Sequence, residues 1–490
     1  NTGAEYYANI FVITESPYTK DEIWTGSDDG LLHLTTDGGK NWKNVTPPQS
    51  PKYNMWNSID VNPFVKGGAY AVATSYKFGD YTPYIYKTSD YGKTWTVITN
   101  GIPKEEFVRV VRADQKRQGL LYAGTEKGMW ISFDDGASWN KFQLNLPPVP
   151  IADLAWKNDN LIAATHGRSF WMIDDVTPLH QLKSEMTTRG SVLFKPAATY
   201  RMPSQGGYRE PRKGEGENRP GGVLVHFYLK TVDEKTEAKL EFLSVNGEVI
   251  KTYNNKAKEK SEQLAVKAGG NRFVWDMRYA GYKTFPGMVF YGSPNLGPKA
   301  VPGKYKVRLT VNSESQEQEF EILKDPRVNT TPEEFRAQFE YLTKVRDKVS
   351  EANQGIIDIR KIKEDLGSLK NKVGNEVQYK ELMESVKKFE DDLTIHENNI
   401  HQTKNRSVQD PLNYGIKMNN RLAHLMVEQA AGDFPPTQQG EQVREMLSKM
   451  VDEELSKLQK TIQQNTERIN NLAKEKGIEV VMIRKSPLLN

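Results

Sequence analysis

Four acidic side chains, Asp28, Asp29, Asp80 and Glu126, stand in short turns between β-type runs. A basic and aromatic set, Trp56, Lys77, Tyr81, Arg109, Lys127, His166 and Arg168, lies in the same turns or at the entries of such runs. Two carboxylates about 5–10 Å apart can cleave a glycosidic bond when one of them keeps its proton at neutral pH. Aromatic faces beside Arg or Lys instead suit holding a sugar or a peptide, by stacking and bidentate hydrogen bonding. The acidic four are therefore candidate catalytic groups and the other seven candidate ligand-binding groups. Binding is the preferred reading, since acidic residues are common in solvated β-turns. His166 and Arg168 carry a second reading, in which they order their own turn or pair with Asp174 and Asp175.

Other chemistries are excluded by what the chain lacks. It has no cysteine in 490 residues, which removes disulfides, thiolate nucleophiles and thiolate zinc sites together. His396 and His401 miss the one-turn spacing of a helical metal pair, and there is no His-Glu-x-x-His, so no metal or cofactor is expected. A net charge of +4 without a basic, aromatic-interleaved stretch excludes a nucleic-acid surface. No apolar run reaches the ~20 residues of a membrane span, so no transmembrane segment is expected. The opening Asn1-Thr2-Gly3-Ala4 has neither a basic, apolar leader nor an initiator Met, which fits a processed chain or a fragment of a longer one.

The elements that must position these residues form a repeat. Thr35-Thr36-Asp37-Gly38-Gly39-Lys40-Asn41-Trp42, Thr88-Ser89-Asp90-Tyr91-Gly92-Lys93-Thr94-Trp95 and Ser132-Phe133-Asp134-Asp135-Gly136-Ala137-Ser138-Trp139 share one pattern. It reads hydroxyl, any, Asp, any, Gly, any, small polar, Trp. The Asp accepts backbone N–H groups within a turn, the Gly takes a positive φ, and the Trp packs between neighbouring sheets. Asp37, Asp90 and Asp134, Gly39, Gly92 and Gly136, and Trp42, Trp95 and Trp139 are thus structural. Gly38-Gly39-Lys40 belongs to this turn rather than to a phosphate loop.

Each turn follows two β runs and leads into another. With the run ahead of them, such as Phe107-Val108-Arg109-Val110-Val111, these make four strands per unit, the signature of a propeller blade. A fourth unit from Ile151 through Phe170-Trp171-Met172-Ile173 has Asp174-Asp175 in place of the turn and reads as a terminal blade. Turns joining strands three and four lie at the opposite end of a blade from those joining strands two and three. The latter hold the candidate ligand-binding residues. Four blades are few for a ring, so the expectation is an incomplete propeller whose further blades come from an N-terminal fragment or companion chain. A compact four-bladed ring is the alternative.

Three regions follow: blades over 1–185, a β-sandwich over 186–327 containing a long mobile loop at 201–222, and a helical bundle over 328–490. Alternating runs at Gly222–Leu229, Ala238–Leu243, Arg272–Met277, Tyr305–Val311 and Glu317–Ile322 suit an Ig-like sandwich with Trp275 in its core. Thr331-Pro332-Glu333-Glu334 is a capping box at a helix start. Phe335, Phe339, Leu342, Val345 and Val349 then form one apolar face, Leu382, Val386, Phe389, Leu393 and Ile400 a second, and Val443, Leu447, Val451, Leu455, Leu458 and Ile462 a third. With a shorter helix at Leu422–Met426, these predict an antiparallel bundle.

Pro83 to Trp95, Leu121-Tyr122-Ala123-Gly124-Thr125-Glu126-Lys127-Gly128, Asn145 to Leu154 and Ala164-Thr165-His166-Gly167-Arg168 resemble the large exported bacterial Asp-box (BNR-repeat) proteins. That group is related to sortilin-type propellers and is often labelled glycosyl hydrolase. Asp276, Gly303-Lys304-Tyr305, Asp325-Pro326-Arg327, Gln338-Phe339 and Pro436-Thr437 extend the resemblance over the C-terminal half of such proteins. It implies a cleavable signal peptide, an extracytoplasmic location and further N-terminal blades. The hydrolase label rests on the Asp box itself, a folding device shared by sialidases, xyloglucan-degrading enzymes and non-catalytic sorting receptors. The resulting expectation is an exported scaffold that binds a peptide, protein or glycan, with glycoside hydrolysis as the alternative.

Overall fold

The computed structural model describes residues 8–202, 215–374 and 376–478. The chain divides into two compact units, Asn1–Met186 and Thr187–Asn490. Sheets make up the first unit and open the second, and the C-terminal region is helical. Residues 203–214 of the expected mobile loop and residues 1–4 of the opening segment lie outside the described residues.

Four meanders follow one another in the first unit. They are β1–β4 (Ile10–Glu15, Ile23–Ser27, Leu32–Thr35, Lys43–Asn44), β5–β8 (Met55–Val61, Ala69–Ser75, Asp80–Thr88, Thr96–Val97), β9–β12 (Val108–Ala113, Leu121–Thr125, Gly128–Ser132, Asn140–Lys141) and β13–β15 (Ile151–Lys157, Asn160–Thr165, Phe170–Ile173). All neighbours are antiparallel and pair in sequence order, the arrangement of propeller blades. Alternation along each strand sends one set of side chains toward the preceding sheet and the other toward the next. Trp24, Leu32 and Leu34 meet Trp56, Ile59 and Ala71 between the first two sheets. Tyr70, Val72 and Ile85 meet Val108 and Val111 between the second and third. Val110, Tyr122 and Ile131 meet Leu154 and Leu161 between the third and fourth.

The three box turns share one hydrogen-bond pattern. In the first, the Thr35 hydroxyl donates to Asp37 Oδ1 at 2.8 Å and accepts the Gly39 N–H at 3.0 Å, while Asp37 Oδ1 takes the Asn41 N–H at 2.9 Å. Thr88, Asp90, Gly92 and Thr94 repeat this, as do Ser132, Asp134, Gly136 and Ser138. Hydrogen bonds from Asn41 and Thr94 hold the Asp37 and Asp90 carboxyls down at about 2.

The box tryptophans then clasp successive sheets. Trp95 Nε1 donates across to the Val45 carbonyl at 2.8 Å and Trp139 Nε1 to the Ile98 carbonyl at 2.7 Å. Val45 and Ile98 each follow the outer strand of the preceding sheet, and their side chains sit over Gly92 and Gly136. Trp42 makes no such contact: its indole donates to its own Gly39 carbonyl at 3.1 Å and it remains exposed.

In the second unit a three-stranded sheet (Ser191–Leu193, Val223–Leu229, Gly269–Trp275) and a five-stranded one (Thr199–Arg201, Glu314–Lys324, Gly303–Val311, Ala238–Ser244, Val249–Asn254) enclose one core. Trp275 is fully buried there, stacked on Phe242 at 4.4 Å between ring centroids. Helices Pro332–Val373, Lys380–Ile400, Met418–Gln429 and Gln438–Glu475 share a second core. Thr331 caps the first of them reciprocally with Glu334. Sheets and helices belong to the same compact unit. Arg201, on a strand, ion-pairs with Asp433 beyond the third helix and donates from Nε to the Ala300 carbonyl at 3.0 Å.

The clasp makes a comparative prediction. Gly92, Gly136 and Gly39 have φ of 72°, 87° and 91°, so alanine is strained at each. An added Cβ would lie 2.7 Å from Val45 at Gly92 and 2.5 Å from Ile98 at Gly136, whereas at Gly39 the nearest atom is Trp42 at 3.9 Å. Urea unfolding should therefore show Gly92→Ala and Gly136→Ala to be about 1–3 kcal/mol more destabilising than Gly39→Ala.

Candidate functional site

Of the candidate residues, the structure draws together Arg109, Glu126 and Tyr81, around two aromatic rings that sequence reasoning did not single out. The chain leaves β6 into a short turn, Tyr76–Phe78, closed by Gly79 at φ 77°. Asp80 then accepts the Thr82 N–H at 3.0 Å and the Tyr84 hydroxyl at 2.7 Å, which fixes the entry to β7. Burial pulls the Asp80 carboxyl upward, but these hydrogen bonds outweigh it and hold the group below its ordinary value. From the neighbouring sheet, buried Glu106 accepts the Thr125 hydroxyl at 2.5 Å and the Trp130 indole at 2.9 Å. That network anchors the segment before β9 and so places Phe107.

Phe107 and Tyr76 stack with centroids 5.1 Å apart, and Tyr81 lies 6.1 Å from Phe107. The Arg109 guanidinium sits over both stacked rings, at 5.1 Å from Phe107 and 5.7 Å from Tyr76. Its Nε donates to Glu126 Oε2 at 2.7 Å. Among the described residues its terminal nitrogens have no other hydrogen-bond partner. The result is a cation held beside two stacked rings and fixed from one side by Glu126. Exposed Phe78 and Tyr81 lie in the same turn and strand start.

The remaining candidates stand apart from this cluster. Asp28 accepts the Asn9 N–H at 2.9 Å and Asp29 accepts the Ser27 hydroxyl, so both order the first sheet's turn. Trp56 is fully buried between the first and second sheets and offers no face to a ligand. Lys77 and Lys127 are exposed beside the cluster's turns. His166 and Arg168 are exposed on the β14–β15 turn, where the Arg168 guanidinium donates to the Gly167 carbonyl at 3.1 Å. No group of three or more metal-ligating side chains occurs among the described residues.

Phe107 reads in sequence as one more strand hydrophobe. It lies just before β9, and the bulge between Val108 and Val110 breaks the alternation that would have related it to Arg109. Asp60 carries no motif in the sequence. It lies on β5, where Oδ2 accepts the Ala113 N–H at 2.7 Å, and burial pushes its carboxyl up to about 6 against the pull of Arg112 and of that N–H. Arg112 ties three sheets, donating to Ser58 Oγ at 2.7 Å, Asp153 at 2.7 Å and the Leu154 carbonyl at 2.9 Å.

No family model matches the sequence. Vacuolar protein sorting/targeting protein 10 of Leptosphaeria maculans is 24% identical over 102 residues, 18% of this chain and 7% of that protein. The protein of the same name from Pyrenophora teres f. teres is 32% identical over 72 residues, covering 15% and 4%. The chain therefore spans under a tenth of the length of these relatives. Among solved structures, YCF48 bound to D1 peptide aligns with a TM-score of 0.28 at 14% identity, over 63% of this chain and 82% of that one. The GH74 xyloglucanase from Xanthomonas campestris aligns with a TM-score of 0.28 at 10% identity, over 64% and 47%. No described helix is long and apolar enough to cross a membrane.

Asp60 gives a pH prediction. Its carboxyl is raised on folding, so between about pH 4 and pH 6 the folded chain holds a proton that the unfolded chain has released. Stability must then fall as pH rises through that window. Asp60→Asn should remove this component, on the order of 1–2 kcal/mol, when urea midpoints of the two proteins are compared at pH 4 and pH 7.

Proposed function

We propose that the first unit is part of an exported Asp-box propeller that binds a peptide, protein or glycan without cleaving it, at the shelf formed by Tyr76, Phe107, Arg109 and Glu126. The observation that carries this reading is the state of Arg109. Its guanidinium lies beside two stacked rings and is braced by a carboxylate, with both terminal nitrogens left to take a carboxylate or carbonyl of a ligand. Tyr81 and Phe78 add exposed aromatic surface next to it. Asp28, Asp29, Lys77, Lys127, His166 and Arg168 would extend the same loop face to a longer ligand. In the second unit, an Ig-like sandwich and a helical bundle would serve attachment or assembly outside the cytoplasm.

The hydrolytic alternative needs a carboxylic acid that keeps its proton beside a free carboxylate. Asp80 is held below its ordinary value, and Glu126 is engaged by Arg109. Asp60 is raised, but its carboxylate is committed to the Ala113 N–H beside Arg112. No pair of the required kind therefore lies at the shelf.

Binding to peptide arrays and to soluble polysaccharides, including xyloglucan, tests the proposal. Arg109→Ala should weaken the best binder at least tenfold, in line with the loss of a charge-assisted hydrogen bond of about 1.5–3 kcal/mol. Glu126→Gln should alter affinity while leaving the unfolding midpoint nearly unchanged. Reducing-sugar release from any of the polysaccharides, abolished by Asp80→Asn or Glu126→Gln, would overturn it in favour of hydrolysis.

A further inference from the structure

In the second unit, strands Gly269–Trp275 and Gly303–Val311 are joined by a long segment that folds back on itself. Arg278 and Lys299 meet there as a bridged antiparallel pair. On either side of them the Ala300 N–H donates to the Met277 carbonyl at 2.6 Å and the Tyr279 N–H to the Pro298 carbonyl at 3.0 Å. Side chains directly opposite in such a pair share one face, so the two cations project together. The segment is firmly held. The Tyr282 hydroxyl donates to the Ser293 carbonyl at 2.7 Å, Asn295 Nδ2 donates to the Tyr282 carbonyl at 3.0 Å, and a Cβ at Gly297 would lie 2.0 Å from the Tyr279 carbonyl oxygen. Where this segment meets helices Pro332–Val373 and Met418–Gln429 it leaves a cavity of about 240 Å³. Leu296, Pro298, Leu342, Met426 and Val427 line it, and among the described residues Arg278 is the one charged side chain on its wall. Leu296 is exposed, so the cavity opens to solvent on that side.

Arg278 is only partly satisfied. Its Nη1 donates to the Gly297 carbonyl at 2.9 Å; among the described residues Nε and Nη2 have no hydrogen-bond partner, and no carboxylate pairs with the group. Nε and Nη2 form one edge of the planar guanidinium, an edge that can take both oxygens of a carboxylate at once. Lys299 donates to the Met202 carbonyl, and the neighbouring Arg201 already has Asp433. Burial, followed by the charges of Arg201 and Arg278, draws the Lys299 ammonium down to about 8. Asp276, whose carboxylate accepts the Arg278 backbone N–H at 3.1 Å, offsets only part of this excess of positive charge. We infer that the cavity binds a small amphiphilic carboxylate, with its two oxygens on the Nε–Nη2 edge of Arg278 and its apolar body among Leu296, Leu342, Met426 and Val427. Charge complementarity selects the head group and the apolar lining selects the body. An apolar cavity of ~150 Å³ accepts benzene, so this one suits a body of roughly eight to ten carbon atoms. The site lies wholly within the second unit and is independent of any ligand at Arg109.

Calorimetric titration of the full chain with octanoate, octanol and octylamine tests this. Octanoate should bind saturably and about tenfold or more tightly than octanol, which has the same body without the charge, and octylamine should not bind. Arg278→Met keeps the length of the side chain and removes its charge. It should weaken octanoate about tenfold or more while leaving octanol unchanged. Val427→Trp, which fills the cavity from the helix side, should abolish binding of both. The urea midpoint of each variant is measured alongside, so that loss of binding is not confused with unfolding, and the comparison of the three ligands on the unsubstituted chain needs no variant. Equal affinity for octanoate and octanol would overturn the inference, because the guanidinium would then have no part in recognition. Octanoate binding that survives both substitutions would place the ligand elsewhere, and the lack of any saturable octanoate binding would leave the cavity a packing gap; either result would sink it.

Discussion

The contact on which the first unit depends is the clasp between one sheet's box tryptophan and the carbonyl just past the outer strand of the sheet before it. Between the second and third sheets this is Trp139 Nε1 to the Ile98 carbonyl, with the Ile98 side chain in the space that Gly136 leaves. The buried Trp139 indole N–H finds its acceptor there, and a fixed acceptor sets both the separation and the stagger of two sheets whose apolar faces alone would tolerate sliding. The glycine is required twice over, for its positive φ and for the room the aliphatic side chain takes. Face-to-face burial supplies most of the driving force, and the clasp selects one alignment of it.

That alignment is what builds the shelf. Arg109 belongs to the third sheet and Tyr76 to the second, so the cation reaches both of its rings only when the two sheets sit in register. Glu106 contributes from beneath: by accepting from Thr125 and Trp130 it anchors the chain one residue before Phe107. Glu126, from the β10–β11 turn, completes the hold on Arg109 through a hydrogen bond made within one sheet. Strand contacts, turn contacts and the inter-sheet stack thus converge on a single guanidinium and leave it little freedom.

How much of this is legible in the sequence follows the range of the interactions. The box turns are written in eight consecutive residues, because every hydrogen bond in them spans at most four positions, and the helix start at Thr331 is equally local. The apolar stripes of the long helices are legible for the same reason, although Val443, read as part of a stripe, is exposed. Trp56 is where local reading fails. A tryptophan at the entry of an inner strand is the same in sequence whether it faces a cavity or a neighbouring sheet, and only the Trp24, Ile59 and Tyr86 packing decides for the core. The pairing of Arg109 with Glu126 was open to sequence reasoning as two residues of one loop face, but the stack beneath it was not, since Tyr76 and Phe107 come from different sheets. The compact second unit is similar: nothing near Arg201 announces Asp433, far along the chain.

The two ends of the repeat differ in what their polar groups are free to do. At the box end the carboxylates are saturated: Asp37 and Asp90, held near 2, each take side-chain and backbone donors from the same residue four positions on. A carboxylate so occupied is a poor base and has no proton to give, so this end contributes geometry only. At the other end the turns share no pattern. Asp28 and Asp29 bind their own turn, Asp80 braces a strand entry, Glu126 braces an arginine, and His166 and Arg168 stand in solvent. A repeat that fixes its residues at one end and varies them at the other makes each sheet a carrier of a different side-chain set on one face.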